Sequence, residues 1–244
     1  MARPTRPIRF STYNIRNGWN GGLEYALRGI SQANMDLGVF QETKLNKRIY
    51  TRESSGYTVV ATAAPSAHSS GVTLFYHTAE HFSVEEFQAH GENFISLQLA
   101  SGDRRWYIMG CYLAPGYAST IEDIVVAIGN RPRGGNLLVV GDFKTDLAAP
   151  EGREQDEGIA ADLEEEGLED MSGHFLPWHN TWLKDGCTWA MRRGGQEVRS
   201  RNNYILGIDS FLFYKVAVQD ARHNTEHYLV LGCLHGAAPT THLR

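Results

Sequence analysis

The sequence predicts a mixed α/β domain in which two largely antiparallel sheets pack face to face and helices cover their outer surfaces. Three observations carry that expectation. About ten short apolar runs of strand length recur, rich in Val, Ile, Phe and Tyr and separated by turn residues. Only three helical patterns lie among them, so helices separate some strands and not others, which does not suit a strictly alternating β/α barrel or a Rossmann sheet. No repeat, low-complexity tract or linker interrupts the 244 residues, and the chain therefore reads as one domain, residues 1–244, with a core over about 8–232.

Taken in order, Ile8–Ile15 is the first strand, and Leu23, Ala26, Leu27 and Ile30 follow it at helical spacing. Leu37–Gln41 is an apolar strand that stops on a carboxylate, Glu42. Tyr57–Ala61, Gly71–Tyr76, Phe94–Leu99 and Trp106–Leu113 are the next strands. A second helix is predicted through Ile121, Ile124, Val125 and Ile128, with Ser119 and Glu122 spaced as a capping box. Asn136–Val140 is a strand, and Glu154 to Glu166 a helix closed by Gly167. Tyr204–Leu206, Ser210–Phe213 and His227–Leu231 complete the strands.

Composition narrows the class. With 42% hydrophobic and 21% charged residues the chain has the make-up of an ordinary globular protein. No apolar run approaches the roughly 18 to 20 residues that span a bilayer, and the start lacks the apolar stretch of a signal peptide, so no membrane association is expected. Cys111, Cys187 and Cys233 are far apart and odd in number, which suggests neither a disulfide framework nor a thiolate zinc site. Cys111 and Cys233 lie in apolar strands and read as core. A reducing intracellular location is expected, the nucleus included. The net charge of −5 disfavours a nucleic-acid partner at first sight. Residues 151–170, however, hold ten acidic groups and one basic, which leaves the remaining chain at +4. A mildly basic surface outside one acidic helix is compatible with a polyanionic substrate; the acidic helix itself reads as a solvated face.

Polar residues at strand ends are where a packed sheet can hold several groups rigidly around one point. Asn14, Glu42, Tyr112, Asp142 and His227 occupy such positions. Taken singly, each has an ordinary explanation as a turn, cap or packing residue. Together, two acids and an amide suit the oxygen-rich site favoured by Mg²⁺, with Mn²⁺ as a substitute, and a histidine and tyrosine nearby suit phosphate transition-state chemistry. No Gly-x-Ser-x-Gly elbow, His-Glu-x-x-His helix or phosphate loop is present.

The ordered series Thr12-Tyr13-Asn14, Gln41-Glu42-Thr43, Cys111-Tyr112-Leu113-Ala114-Pro115, Gly141-Asp142-Phe143, Thr188-Trp189, Ser200 to Leu206 and Glu226-His227 resembles the endonuclease/exonuclease/phosphatase superfamily. Within it, the series is most similar to the apurinic-type endonuclease domains of non-LTR (LINE-like) retrotransposons, which nick target DNA. The resemblance runs from about Arg9 to Leu231 and implies a four-layered α/β sandwich, in agreement with the element count. It implies that Asn14 and Glu42 hold the metal or its waters and that Tyr112 contacts the scissile phosphate. Asp142 would orient or deprotonate the attacking water, and His227 would stabilise the phosphate in the transition state. Thr188 and Ser200 match supporting polar positions. DNA is the implied partner, with a reverse transcriptase module encoded elsewhere or lost; the domain is expected to be monomeric.

Three departures bear on activity. The family pattern Gly-Asp-x-Asn is here Gly141-Asp142-Phe143-Lys144, and a lysine cannot accept a hydrogen bond from water and would repel a nearby metal. Asp-Tyr-Ile-Leu is here Asn203-Tyr204-Ile205-Leu206, so the acid that partners the terminal histidine is an amide; Asp209 lies six residues on, beyond the strand end. Ser-Asp-His is here Thr225-Glu226-His227, with the carboxylate displaced by one methylene. Three changes at one site predict a weak or inactive copy: an impaired DNA endonuclease, or a catalytically dead nucleic-acid-binding domain. A phosphatase acting on a small phosphoester is the other reading that the shared core allows. DNA is favoured by arginines that recur in loops, Arg131 and Arg133, then Arg192, Arg193, Arg199 and Arg201 near Trp182 and Trp189. A solvated basic hairpin explains the second group equally well.

Overall fold

The computed structural model describes residues 7–18, 21–64, 70–78, 82–101, 104–113, 118–131, 134–144, 147, 154–171, 188–194, 196–208, 213–219, 227 and 229–234. Strands β1 (Ile8–Asn14), β2 (Leu37–Gln41), β3 (Ile49–Ser54), β4 (Tyr57–Ala61), β5 (Val72–His77), β14 (Phe213–Gln219) and β15 (Leu229–Leu234) form a seven-stranded sheet in the order β14-β15-β1-β2-β5-β4-β3. A six-stranded sheet, in the order β10-β13-β9-β8-β7-β6, is built from β6 (Ser83–Ala89), β7 (Phe94–Ser101), β8 (Arg104–Tyr112), β9 (Asn136–Asp142), β10 (Glu169–Asp170) and β13 (Asn203–Gly207). β11 (Trp189–Arg193) and β12 (Gln196–Ser200) make a separate hairpin.

Apolar side chains on the inner faces hold the two large sheets together. Phe10, Val39 and Leu74 of one sheet meet Leu97, Ile108, Val140 and Ile205 of the other in one buried cluster. Helix α1 (Gly22–Gln32) lays Leu23, Leu27 and Ile30 on the outer face of the first sheet, against Phe40, Tyr57 and Phe75. Helices α2 (Ala118–Gly129) and α3 (Glu154–Glu165) cover the second, with Ile121, Ile124, Ile128 and Leu163 packed on Met109, Val139, Tyr204 and Leu206. The result is the four-layered α/β sandwich expected from the sequence. Among the described residues no helix is long and apolar enough to cross a membrane.

Each large sheet contains one parallel pair, β1 with β2 and β8 with β9, and in each case a helix lies between the two strands in the chain. A crossover is what parallel strands require, whereas the other ladders within these two sheets are antiparallel. The C-terminal ends of the two parallel pairs come to one rim of the sandwich. So do the starts of their antiparallel partners β13 and β15, since Asn203 lies opposite Asp142 and Thr12 opposite Val230.

The α3 terminus follows the sequence reading. Gly167 adopts a φ of 72°, and the N–H groups of Gly167 and Leu168 bond to the carbonyls of Glu164 and Leu163 in a Schellman arrangement. Four details differ. Helix α2 already begins at Ala118, so Ser119 sits within its first turn rather than at the cap. Of the strand placed at Ser210–Phe213, residues 210–212 lie outside the described residues, and β14 continues from Phe213 to Gln219. Strands β3, β6, β10, β11 and β12 carry charged and polar residues that hide their strand character; β3, β6 and β10 lie at sheet edges, where one ladder is missing and polar faces are tolerated. Cys111 is fully buried as expected, but Cys233 is only half-buried.

Candidate active site

Five of the sequence-selected residues converge at this rim. Asn14 ends β1, Glu42 follows β2, Tyr112 ends β8, Asp142 ends β9, and His227 lies just before β15 in an isolated bridge with Trp189. All five are buried. The Asn14 amide Nδ2 donates to Glu42 Oε1 at 2.8 Å and to Asp142 Oδ2 at 2.6 Å, while its Oδ1 accepts the Arg16 N–H at 3.0 Å. Glu42 Oε1 also accepts the Tyr112 hydroxyl at 3.1 Å. Glu42, Asp142 and His227 each offer a ligand atom within 4.8 Å of the others, a set that by type and spacing could hold a metal ion.

Lys144 changes that set. Its Nζ lies 3.1 Å from Glu42 Oε1 and 2.9 Å from Asp142 Oδ2, and 5.2 Å from the centre of the Tyr112 ring. Its own N–H donates to Asp142 Oδ1 at 3.1 Å. The two oxygens that face each other across the site therefore each receive an amide and an ammonium donor. A divalent ion needs those lone pairs, and an ammonium in contact with both carboxylates repels it. As folded, the residues present do not fit a divalent cation in this seat.

Electrostatics follow the geometry. Burial alone would raise the Glu42 carboxyl, but the Lys144 ammonium, the Asn14 hydrogen bond and Lys44 outweigh it and hold the pKa at about 2. Burial alone would lower Lys144, and the charges of Asp142 and Glu42 reverse this, so its pKa is raised. Both groups are thus charged at neutral pH. The Cys111 thiol, pushed up by burial and then by Asp142, stays protonated and inert.

His227 is oriented by an amide. Its Nδ1 is 3.0 Å from Asn203 Oδ1 and 3.7 Å from Asp142 Oδ2. Asn203 Nδ2 points to Gln41 Oε1 at 3.4 Å, and Gln41 Nε2 donates to Thr12 Oγ1 at 2.8 Å. This chain leaves Asn203 Oδ1 as an acceptor and so assigns the proton to His227 Nδ1. Thr188 Oγ1 accepts the N–H groups of both Asn202 and Asn203, at 2.8 and 2.9 Å, and fixes the start of β13. Its place is behind the site, as a positioning residue.

The remaining residues selected from the sequence are spread more widely. Arg201 is paired with Asp170 at 2.5 Å and lies over the Tyr204 ring, 4.9 Å from its centre. Arg192 is exposed on the β11–β12 hairpin. Arg131 donates to the Ile128 carbonyl at the end of α2. The Ser200 backbone pairs with Trp189, its side chain lying outside the described residues, as do Glu226, Asp209, Arg133, Trp182 and the Arg193 and Arg199 side chains. Two participants were not selected from the sequence. Gln41 and Lys44 flank Glu42, and the signal for both was the polar cluster that ends an otherwise apolar strand; Lys44 Nζ lies 3.4 Å from Glu42 Oε2.

Backbone geometry supports the cluster. Of the six non-glycine residues with positive φ among the described residues, four, Arg16, Glu42, Lys44 and Lys144, lie at this rim. Each such residue costs on the order of 1–3 kcal/mol and persists where surrounding contacts fix it. Gly141 is required for a different reason: a Cβ there would lie 2.0 Å from the Cys111 carbonyl oxygen, so only glycine lets β9 approach β8 and place Asp142.

No protein-family model and no curated protein matches the sequence. Solved structures do match the fold. The AP endonuclease LMAP from Leishmania major is 14% identical with a TM-score of 0.75, over 97% of this chain and 90% of that one. The endonuclease domain of TRAS1, a telomere-specific non-LTR retrotransposon, is 15% identical with a TM-score of 0.70, over 95% and 100%. An endonuclease/exonuclease/phosphatase family protein from Leptotrichia buccalis is 11% identical with a TM-score of 0.67, over 93% and 99%. Identities this low speak to architecture, and on that ground the chain has the fold of the endonuclease/exonuclease/phosphatase proteins, with its polar cluster at the rim of the sandwich.

Proposed function

We propose that this is a DNA-directed domain derived from a metal-dependent phosphodiester endonuclease of the retrotransposon kind, and that its nicking activity is strongly impaired. The observation that carries the reading is the convergence of Asn14, Glu42, Tyr112, Asp142 and His227 at one rim, with Lys144 bridging the two acids. The arrangement retains the parts that would orient a phosphate and a nucleophile. Of the three departures, Lys144, Asn203 and Glu226, the first two lie among the described residues. Lys144 offers a cation where water needs an acceptor, and Asn203 orients His227 without the charge that would stabilise imidazolium. DNA is preferred over a small phosphoester because the β11–β12 hairpin presents the exposed Arg192 on the strand that begins with Trp189, and Trp189 bridges to His227. A reverse transcriptase module remains the partner that a retrotransposon origin would supply.

Nicking of supercoiled plasmid with Mg²⁺ or Mn²⁺ tests the reading. The wild-type domain is expected to cleave little above Glu42→Ala, whereas Lys144→Asn combined with Asn203→Asp raises the rate by orders of magnitude. A wild-type rate far above Glu42→Ala would overturn the impairment. A reverted protein that binds no DNA, yet hydrolyses an inositol polyphosphate or a lipid headgroup, would overturn the substrate.

A further inference from the structure

Both lysines at the rim stand in the same relation to an acid. Lys44 follows Glu42 by two residues at the end of β2, and Lys144 follows Asp142 by two residues at the end of β9. Each adopts a left-handed backbone, with φ of 52° and 53°. β2 and β9 are the second strands of the two parallel pairs, so each sheet delivers one carboxylate and one ammonium to the same point. Lys144 Nζ touches both acids, at 3.1 and 2.9 Å, and Lys44 Nζ takes the outer oxygen of Glu42 at 3.4 Å. Two negative charges therefore meet two positive ones, the same neutralisation that one divalent ion would provide.

We propose that Lys144, with Lys44 beside it, is a built-in replacement for the divalent cation: the site takes up no Mg²⁺ or Mn²⁺ of its own and instead presents a fixed ammonium to a phosphodiester oxygen. The geometry supplies what such a role needs. The Lys144 side chain keeps 21% of its surface open to solvent, so its head can meet a ligand while it holds the acids. Asn14 and Tyr112 saturate the remaining inner lone pairs of Glu42, which keeps the carboxylate from turning toward a soluble ion. The phosphodiester part rests on the DNA-directed reading above; the metal part does not.

The test separates the two. Mn²⁺ is titrated into the purified domain without DNA, followed by the paramagnetic resonance of the free ion and by thermal melting in Mn²⁺ against EDTA. Wild type is expected to leave the free-ion signal and its melting temperature unchanged. Lys144→Asn is expected to bind Mn²⁺ at least about tenfold more tightly and to melt higher with the metal, since a repelling charge at contact distance is gone. Lys144→Met, which removes the charge without adding a ligand, should move the same way. Equal Mn²⁺ affinity in wild type and the variants overturns the proposal. If the variants do not fold, Mn²⁺ uptake by wild type overturns it and its absence upholds it. In a second arm, a short labelled duplex is bound in EDTA. Wild type should bind as well in EDTA as in Mn²⁺, and Lys144→Met more weakly in EDTA than wild type. A domain that binds no duplex at all fails the DNA-directed reading, while the Mn²⁺ titration still decides the metal part.

Discussion

At residue 203 the exchange of an acid for an amide is matched by its neighbours. Asn203 donates to Gln41, and Gln41 donates to Thr12, so the polarity of the whole chain runs one way. An aspartate at 203 would face Gln41 Oε1 without a proton to offer. Gln41 would then turn its amide, and the Thr12 hydroxyl, which can both donate and accept, would reverse with it. Asn203→Asp is therefore expected to cost little stability and to raise the His227 pKa, measurable by NMR titration of its ring protons. The Glu42–Lys144 pair has a defined pH window. Glu42 is depressed from 4.5 to about 2, so its contribution to stability is complete above about pH 4.5 and is lost as pH falls through about 2. Lys144 is raised, so its contribution is complete below its ordinary value of 10.5 and is lost as pH rises past its folded value. In Lys144→Met the Glu42 pKa should climb well above 2, because the burial that opposes ionisation remains; carboxyl-carbon NMR reads it directly. A Glu42 pKa that stays near 2 would show that Asn14 and Lys44 suffice to set it. Strand-end acids, the terminal histidine and the gain of Lys144 were all legible in the sequence. That the ammonium would bridge both acids was not, because nothing in a linear pattern brings residue 42 within reach of residue 144.

Among the elements, those with a one-sided apolar pattern were the legible ones. Helix α1 buries Leu23, Ala26, Leu27 and Ile30 on one face, the four residues that mark it in the sequence. Leu27 is wholly buried between α1 and the first sheet, and Leu27→Ala is expected to cost about 2–5 kcal/mol in urea unfolding without abolishing the fold. Gly141→Ala should be worse for the site than for the sheet, since relieving a 2.0 Å contact with Cys111 means moving the end of β9 and Asp142 with it. A loss of DNA binding larger than the loss of stability would show this. The illegible elements were those whose environment is half solvent. Strand β6 reads Ser83-Val84-Glu85-Glu86-Phe87-Gln88-Ala89, with most of its residues exposed at the edge of its sheet, and no periodicity betrays it. The basic stretch around Arg192 and Arg199 does fold as a hairpin, β11–β12, as the basic-hairpin reading expects, although its charge hides where the two strands begin and end.

For the whole molecule, the sequence located the acid excess, and among the described residues the structure places Glu157, Asp162, Glu164 and Glu165 of it on the exposed surface of α3, which packs through Leu163. On the DNA-directed reading proposed above, the mildly basic remainder would supply the long-range attraction to the duplex. Duplex binding should therefore weaken steeply with salt, and Arg192→Ala should lower the log–log salt slope by about 1 without changing sequence preference. A salt-independent affinity would argue for a ligand held by few charges. The placement of β1 also governs how the molecule comes into being. β1 lies between β2 and β15, pairing Ile8 with Leu234 across more than two hundred residues of intervening chain. The six-stranded sheet, by contrast, is made from one uninterrupted stretch, β6 to β13, apart from the separate hairpin. During synthesis that sheet can assemble while β1 still waits for its outer neighbour, and every such wait exposes an unpaired strand edge. The rim, which draws on both sheets, is accordingly expected to take shape only once β15 has paired with β1.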